Sequence, residues 1–471
     1  MYRNQWYVLL GLQLLFIIQI HSQNITCPIL LVDKINIIGN EKTRSWLIEK
    51  ECDLHIGDTI SINRIGIKLD VIKFKLSRLV NFSNVTVKYK IYFEDKCFVI
   101  IDIIVDENWL LFPSIIGEIA DPNFNIWWVE QRHSLKRVNY GIKLLHYNLT
   151  GRSDKLRIKF HTGYTDKYEI SYDFPYFFNN KNYNLSIGLL YSSYKEIDVQ
   201  TLVNKFVFIQ NDHDDLLLRR EFNLKYYYRN ETNWTHSLNF RLYHNRIKES
   251  IALLYPEYFL ASKYKFNKLK IDLNTTYSSF DIGIRPQKGI KFKTSIETIS
   301  EPFVERNNFI FFSQEFIHAK AFNKKISLLS RINCQESLNR IKPAYYIYRT
   351  LDNSRHVVPG YEYYIINGTD YVLVDQAVRI FILDYKKSFF KLLAKEPRIK
   401  IKSELDLRFN FTGAYFNEPY YYQTNSLTNK LIYSVTCGLD LTINNGIMLQ
   451  MNYSLNHLAK GGFFVHLNSA L

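Results

Sequence analysis

Residues 399–411, IKIKSELDLRFNF, alternate with a period of two. Ile399, Ile401, Leu405, Leu407, Phe409 and Phe411 take one side, interrupted only by Ser403, and Lys400, Lys402, Glu404, Asp406, Arg408 and Asn410 take the other. Successive side chains of a strand point to opposite faces, so this segment predicts a strand with one apolar wall and one ionic wall. The same alternation recurs. Leu156, Ile158 and Phe160 interleave with Arg157, Lys159 and His161, and Leu269, Ile271 and Leu273 with Lys268, Lys270, Asp272 and Asn274. The segment at 399–411 reaches the roughly 9–11 residues that a tilted strand needs to cross a bilayer. Strands of soluble sandwiches are shorter, about five or six residues. Inside lipid every backbone group must be paired, and only a closed barrel leaves no sheet edge. From about Pro113 to the C-terminus the chain can supply 16 antiparallel strands at roughly 22 residues each, an even number within the range of such barrels.

Residues 30–107 follow another rhythm. Leu31–Ile38 reads as a strand, Gly39-Asn40 as a turn, and Thr43 as the cap of a helix running to about Cys52. Leu69, Ile72, Leu76 and Leu79 recur at helical spacing, predicting a second helix from Leu69 to Val80. Val85, Val87, Tyr89, Ile91 and Phe93 then alternate, and Phe98–Val105 pairs with them as a hairpin across Glu94-Asp95-Lys96. The expected order is β-α-α-β-β.

The N-terminal stretch MYRNQWYVLLGLQLLFIIQIHSQ has one Arg, an apolar core and the small residue Ser22, the layout of a secretory signal peptide over residues 1–22. Beyond it no uncharged apolar run of about 18 residues predicts a transmembrane helix. An exported chain without one is either free in an extracytoplasmic space or inserted as a barrel. Tyr and Phe number 35 and 33, which suits amphipathic strands with aromatic residues near their ends. The formal net charge of +15 would suggest nucleic acid in a cytoplasmic protein. Here the export signal argues against it, and the Lys and Arg are scattered along strands rather than clustered. We expect outer-membrane lipids, not nucleic acid, beside this charge. The five cysteines, Cys27, Cys52, Cys97, Cys334 and Cys437, form no zinc spacing. A disulfide between Cys52 and Cys97 and a pair of buried free thiols are both compatible with their positions.

No GxSxG, HExxH, Walker loop or GxGxxG is present, and Asp212-His213-Asp214 reads as a solvated charge run. Neither an enzyme nor a cofactor or metal site is expected.

A small β-α-α-β-β domain before a long barrel resembles the outer-membrane assembly superfamily that includes BamA, TamA and two-partner secretion pores. The stretches INIIGNEKTRSWLI and LVNFSNVTV, with Gly57-Asp58, resemble a POTRA module over residues 30–107. DPNFNIWWVEQR, RVNYGIKLLHYNLTGRSDKL, GYTDKYEISYDFPYF and the terminal GGFFVHLNSAL resemble the single-POTRA subgroup of Gram-negative bacteria, with the barrel over residues 113–471. The resemblance implies a lumen loop whose tip, written VRGF or VRGY in the family, corresponds to Val358, Pro359, Gly360 and Tyr361. Pro359 replaces the family's arginine, so that arginine's contact with an inner-wall acid is lost at this position. Whether Arg355 substitutes for it is open. Asp375 and Arg379 share one face of the next strand and are expected on the inner wall. Gly461, Gly462, Phe463, Phe464, Val465 and Leu467 are expected in the closing strand, beside the barrel seam. The resemblance further implies insertion or translocation of unfolded outer-membrane or secreted polypeptides, with the POTRA domain in the periplasm and accessory lipoproteins as candidate partners. The alternative is a passive channel or structural protein that kept the fold.

Overall fold

The computed structural model describes residues 27–469, except 122–123, 212, 231–232, 282–283, 302–307, 352–357, 389–399, 422, 424 and 445. The signal segment, Arg355, Ile399 and Leu471 lie outside the described residues. The chain divides into two compact units. One holds residues up to Leu110 together with Tyr147–Ser153; the other holds Leu111–His146 and the chain from Asp154 onward. Among the described residues no helix is long and apolar enough to cross a membrane.

In the first unit the elements are β1 (Ile29–Ile38), α1 (Ser45–Cys52), β2 (Thr59–Ser61), α2 (Ile65–Ser77), β3 (Phe82–Phe93) and β4 (Cys97–Glu107). Their sheet order is β2-β1-β4-β3. The helical crossover lets β1 run parallel to β4, from Leu31 beside Phe98 to Ile38 beside Ile104. The alternating Val99, Ile101, Ile103 and Val105 of β4 face Ile48, Leu69, Ile72 and Leu76 of the helices in one core. Three readings from sequence need correction. The three-residue β2, antiparallel to β1, was not foreseen. The second helix begins one turn earlier, at Ile65. Thr43 does not cap α1. Its hydroxyl accepts from Asn81 and Asn148, at 3.4 and 2.9 Å, and its N–H donates to Glu107, so a buried polar cluster claims it. Gly39 is required where it stands: φ is +91°, and a Cβ would lie 2.1 Å from the Val105 carbonyl oxygen.

The cysteines also pair otherwise than Cys52 with Cys97. Cys27 and Cys97 form the disulfide, with Cα atoms 5.7 Å apart. The parallel register explains this: Cys27 precedes β1 and Cys97 opens β4, so both sit at the same end of two neighbouring strands. Cys52 is buried in the core as a free thiol.

The second unit is a 16-stranded antiparallel sheet formed by β5 (Leu111–Ile119), β6 (Val138–Tyr147), β7 (Lys155–Gly163), β8 (Thr165–Phe174), β9 (Tyr183–Tyr194), β12 (Leu217–Arg229), β13 (Trp234–Ile247), β14 (Lys265–Ser278), β15 (Gly289–Ser300), β16 (Phe309–Ala321), β17 (Ile326–Ser337), β18 (Asp370–Ser388), β19 (Lys400–Asn417), β20 (Leu431–Ile443), β21 (Ile447–Asn456) and β22 (Gly461–Ser469). Between β9 and β12 a separate hairpin forms, β10 (Glu196–Leu202) with β11 (Lys205–Gln210). In β19 the expected walls are present: Phe411 is 50% exposed on the outer, apolar side and Asp406 is 0% exposed on the inner, ionic side. An inverted polarity of this kind, greasy outside and charged inside, belongs to a sheet whose solvent is lipid.

The connections after β5, β9, β13, β17 and β19 are long, and strand parity brings them to one end. Helices α3 (Glu249–Leu254) and α4 (Tyr345–Leu351) and the β10–β11 hairpin lie in them. Ile197, Leu216, Ile251, Tyr258, Phe259, Ala344 and Tyr346 pack there as an apolar cap.

Candidate functional site: the inward loop, the inner wall and the seam

The connection between β17 and β18 ends in a compact tip. Val358 and Tyr361 are buried with Ile366, Tyr371, Leu373, Phe416, Leu427 and Ile432. Gly360 has φ +86°, a conformation that suits glycine, and its carbonyl accepts a 2.7 Å hydrogen bond from Asn456 Nδ2. The Tyr361 hydroxyl donates to the Tyr433 carbonyl at 3.0 Å and meets His457 Nδ1. A Cβ on Gly360 would come within 3.3–3.5 Å of Ser434, Ser454 and Asn456. These three nearest wall residues carry hydroxyls and an amide, and none is an acid.

The inner-wall charges pair elsewhere. Asp375 accepts from Thr412 at 2.8 Å. Arg408 binds Asp440 through Nε at 3.0 and 3.1 Å. Arg379 is buried nearby, its Nε 3.9 Å from the same Asp440. Arg285, from the connection between β14 and β15, grips Asp406 with Nε and, at 2.6 Å, with Nη2, and reaches Glu404 at 3.2 Å. Asp406 and Glu404 lie on β19, so this connection folds back onto the inner wall of a distant strand. A buried arginine held by two carboxylates satisfies charges that would otherwise be costly to bury.

The edge strands of the 16-stranded sheet are β5 and β22, and the seam lies between them. Among the described residues no ladder joins these two strands. A side chain occupies the edge of β22 instead. Asn125, in the connection between β5 and β6, donates from Nδ2 to the Phe463 carbonyl at 2.5 Å and accepts from the Val465 N–H at 3.1 Å. Those two backbone groups flank Phe464, so the amide satisfies the strand as one residue of a parallel neighbour would. Asn125 is itself well placed. Arg137 and Asp121 close the base of its connection through a bidentate pair of 2.8–3.1 Å, and Arg137 also binds Glu196 at 2.6 Å. The inward tip touches the same strand from the lumen: Glu362 meets His466 at 3.3 Å, and the rings of Tyr363 and Phe464 are 5.4 Å apart. Phe463 and Leu467 point outward, and Leu467 is 72% exposed. Gly461 and Gly462 open the strand.

The sequence did not single out Asn125, although it lies within DPNFNIWWVEQR. Its signal was the Asp121 and Arg137 that bracket the segment, both charged residues at the mouth of a connection between apolar strands. Arg285 carried no local signal, because its partners are 121 and 119 residues away.

Comparison with known proteins bears on these observations. The Omp85 superfamily domain matches residues 148–372. BamA from Haemophilus ducreyi, crystallised without POTRA domains 1–3, is similar over 93% of this chain and 83% of its own, with 13% identity and a TM-score of 0.56. CdiB from Acinetobacter baumannii is similar over 93% of this chain and 73% of its own, with 12% identity and a TM-score of 0.50. No curated protein matches the sequence. Residues 148–372 thus match the Omp85 superfamily domain, and the 16-stranded sheet of lipid-facing polarity has a BamA-like outer-membrane barrel fold.

Proposed function

We propose that the protein inserts or translocates other polypeptides at the outer membrane by offering strand edges to them. The observation that carries this reading is the β22 edge, satisfied by one side chain where a strand could pair. An unfolded client strand would displace the Asn125 amide and add to β22 by main-chain hydrogen bonding. The small unit, residues 30–107, acts as a single periplasmic POTRA module. Its β3 is a 12-residue edge strand with Tyr89, Ile91 and Phe93 exposed, and long exposed edges of this kind recruit extended segments. Accessory lipoproteins would join at this module. Depletion followed by outer-membrane proteomics tests the reading, together with a photo-crosslinking residue at Leu467. Loss of other barrels and capture of their strands is expected. Unchanged outer-membrane content, with no capture, would refute it.

A second reading, a passive channel, is favoured by Pro359, which stands where the family pattern has arginine. Under it, purified protein conducts ions across planar bilayers while depletion leaves other barrels untouched.

A further inference from the structure

On the outer face of the sheet, β7, β8, β9, β12, β13 and β14 each place one residue in a single register row near the long connections: Phe160, Tyr168, Tyr191, Arg220, His244 and Asn267. The first three form an aromatic row, with ring centres 5.0 and 6.1 Å apart. Aromatic girdles of a barrel stand at the membrane–water interface, which sets this row at headgroup height. The other half of the row is a guanidinium, an imidazole and an amide. One step closer to the long connections, Arg246 and Lys265 stand directly opposite each other. Alternation fixes their direction. In β13 Leu242, His244 and Arg246 are exposed while Tyr243, Asn245 and Ile247 are buried. Lys265 and Asn267 of β14 are exposed on either side of buried Phe266, and Arg220 of β12 is exposed as well.

The patch is unbalanced by itself. Like charges directly opposite each other in a ladder repel, and charge on the lipid-facing side of a barrel is costly except near the interfaces. Among the described residues no carboxylate pairs with Arg220, Arg246 or Lys265. Asp166 shares the row of Arg246 but stands three strands away on β8, where it accepts from Thr162. His244 Nδ1 meets the Asn267 side-chain oxygen at 2.7 Å, which leaves the Asn267 amide nitrogen as a neutral donor beside the cations.

An apolar channel adjoins the patch. A groove of about 810 Å³ runs along the same face, with Arg220, His244 and Asn267 at one end. Ile158, Ile170, Leu189, Phe222 and Leu242 line it one row deeper toward the hydrocarbon. The two parts together select the ligand. A free anion would meet the cations and leave the groove unused; a neutral lipid would fill the groove and leave the cations unpaired. An amphiphile with an anionic head meets both. Guanidinium groups match phosphate geometry, and the long connections of such barrels lie outside the cell, so this height corresponds to the outer leaflet.

We propose that this face binds a phosphate-bearing anionic lipid, with its phosphate among Arg220, Arg246 and Lys265 and an acyl chain along Ile170, Leu189 and Phe222. The proposal needs only the barrel and is independent of the assembly role. The test is native mass spectrometry of the mature full-length protein released from detergent, titrated separately with diphosphoryl lipid A, phosphatidylglycerol, phosphatidylcholine and inorganic phosphate. Retention of one or both anionic lipids, at least tenfold tighter than phosphatidylcholine or inorganic phosphate, is expected. Preference for lipid A identifies a phosphorylated glycolipid; equal retention of both identifies any phosphate-bearing lipid. A cation near a charged lipid contributes about a fivefold factor. Arg220→Gln should therefore weaken retention about fivefold, and Arg220→Gln combined with Arg246→Gln and Lys265→Gln about 10²-fold. Heat-modifiable gel mobility shows that each variant barrel has folded. Lys320→Gln removes an exposed cation from the opposite end of β16 and should leave retention unchanged. Wild-type retention in a folded triple variant or in folded Arg220→Gln, an equal loss in Lys320→Gln, or retention of phosphatidylcholine or inorganic phosphate as tight as that of the anionic lipids would overturn the assignment.

Discussion

Replacing Gly360 by valine acts at a position where the inward tip meets the wall through its backbone. The φ of +86° places the residue in the left-handed region, which costs a residue with a Cβ about 1–2 kcal/mol and a β-branched one more. Steric conflict adds to this. The Cβ itself would stand 3.3 Å from the Ser434 Cβ and 3.4 Å from the Ser454 Cβ, and the two methyl groups beyond it have no free direction toward the wall. Overpacking of this kind costs about 1–3 kcal/mol. Together the penalty on docking is about 3–4 kcal/mol, enough to lower the docked population relative to the undocked one by a factor of about 10² to 10³. Gly360→Ala meets the backbone cost with less crowding and should lie between wild type and valine. The measurement is hydrogen exchange by mass spectrometry over residues 358–369, with heat-modifiable gel mobility to show that the barrel has folded. Faster exchange in valine than in alanine, and in alanine than in glycine, is expected. Wild-type protection in a folded Gly360→Val barrel would refute the inward-docked tip.

Reduction of the Cys27–Cys97 bond, which spans a separation of 70 residues, should destabilise the small unit by about 4 kcal/mol on the loop-closure estimate. Urea unfolding with and without reductant, followed by Trp46 fluorescence, measures this; a shift under 1 kcal/mol (roughly the effect of one hydrogen bond) would contradict it. Burial pushes the Cys52 thiol up to about 12, so it should resist iodoacetamide at pH 8 in the folded protein and react once unfolded. Burial also raises Glu418, just past the end of β19, against two backbone N–H groups, of Tyr421 and Tyr420, that lower it. A carboxyl with a raised folded pKa penalises the fold when ionised. Loop stability should therefore increase as pH falls through that folded pKa toward the ordinary carboxylate range, and Glu418→Gln should remove the dependence in exchange measured across the same window.

Much of the barrel was legible because lipid imposes a strict alternation. Phe409 and Phe411 must face out and Asp406 and Arg408 in, and the chain writes this locally. The inner-wall pairings were not legible for the opposite reason. Arg285 meets Asp406 only because a connection folds back through the lumen, and no local pattern encodes that. Thr43 shows the same limit on a small scale: its residue type fits a helix cap, but Asn81 and Asn148 approach from distant segments and win the hydroxyl. The Cys27–Cys97 pair was not legible, because sequence spacing carries no information about a parallel register. Residues 358–361 stand out in the sequence only through their resemblance to the VRGF pattern, whereas the residues near Gly360, Ser434, Ser454 and Asn456, have no motif at all.

The last strand is gripped twice, and the two grips can be separated. Asn125 holds its edge through Phe463 and Val465, while Glu362 and Tyr363 of the tip meet His466 and Phe464 on its inner side. Asn125→Ala removes two hydrogen bonds worth about 0.5–1.5 kcal/mol each, and should make the seam open at lower urea, read as the loss of heat-modified mobility. If both contacts act on the docking of one strand, their effects cannot be independent. Combining Asn125→Ala with Gly360→Val should then depart from the sum of the single effects by about 0.5–3 kcal/mol, the range for residues sharing a partner. Additivity within about 0.5 kcal/mol would mean that the tip and the amide stabilise separate parts of the barrel. In that event the tip would not guard the seam, and strand exchange at β22 would have to be governed by the edge contact alone.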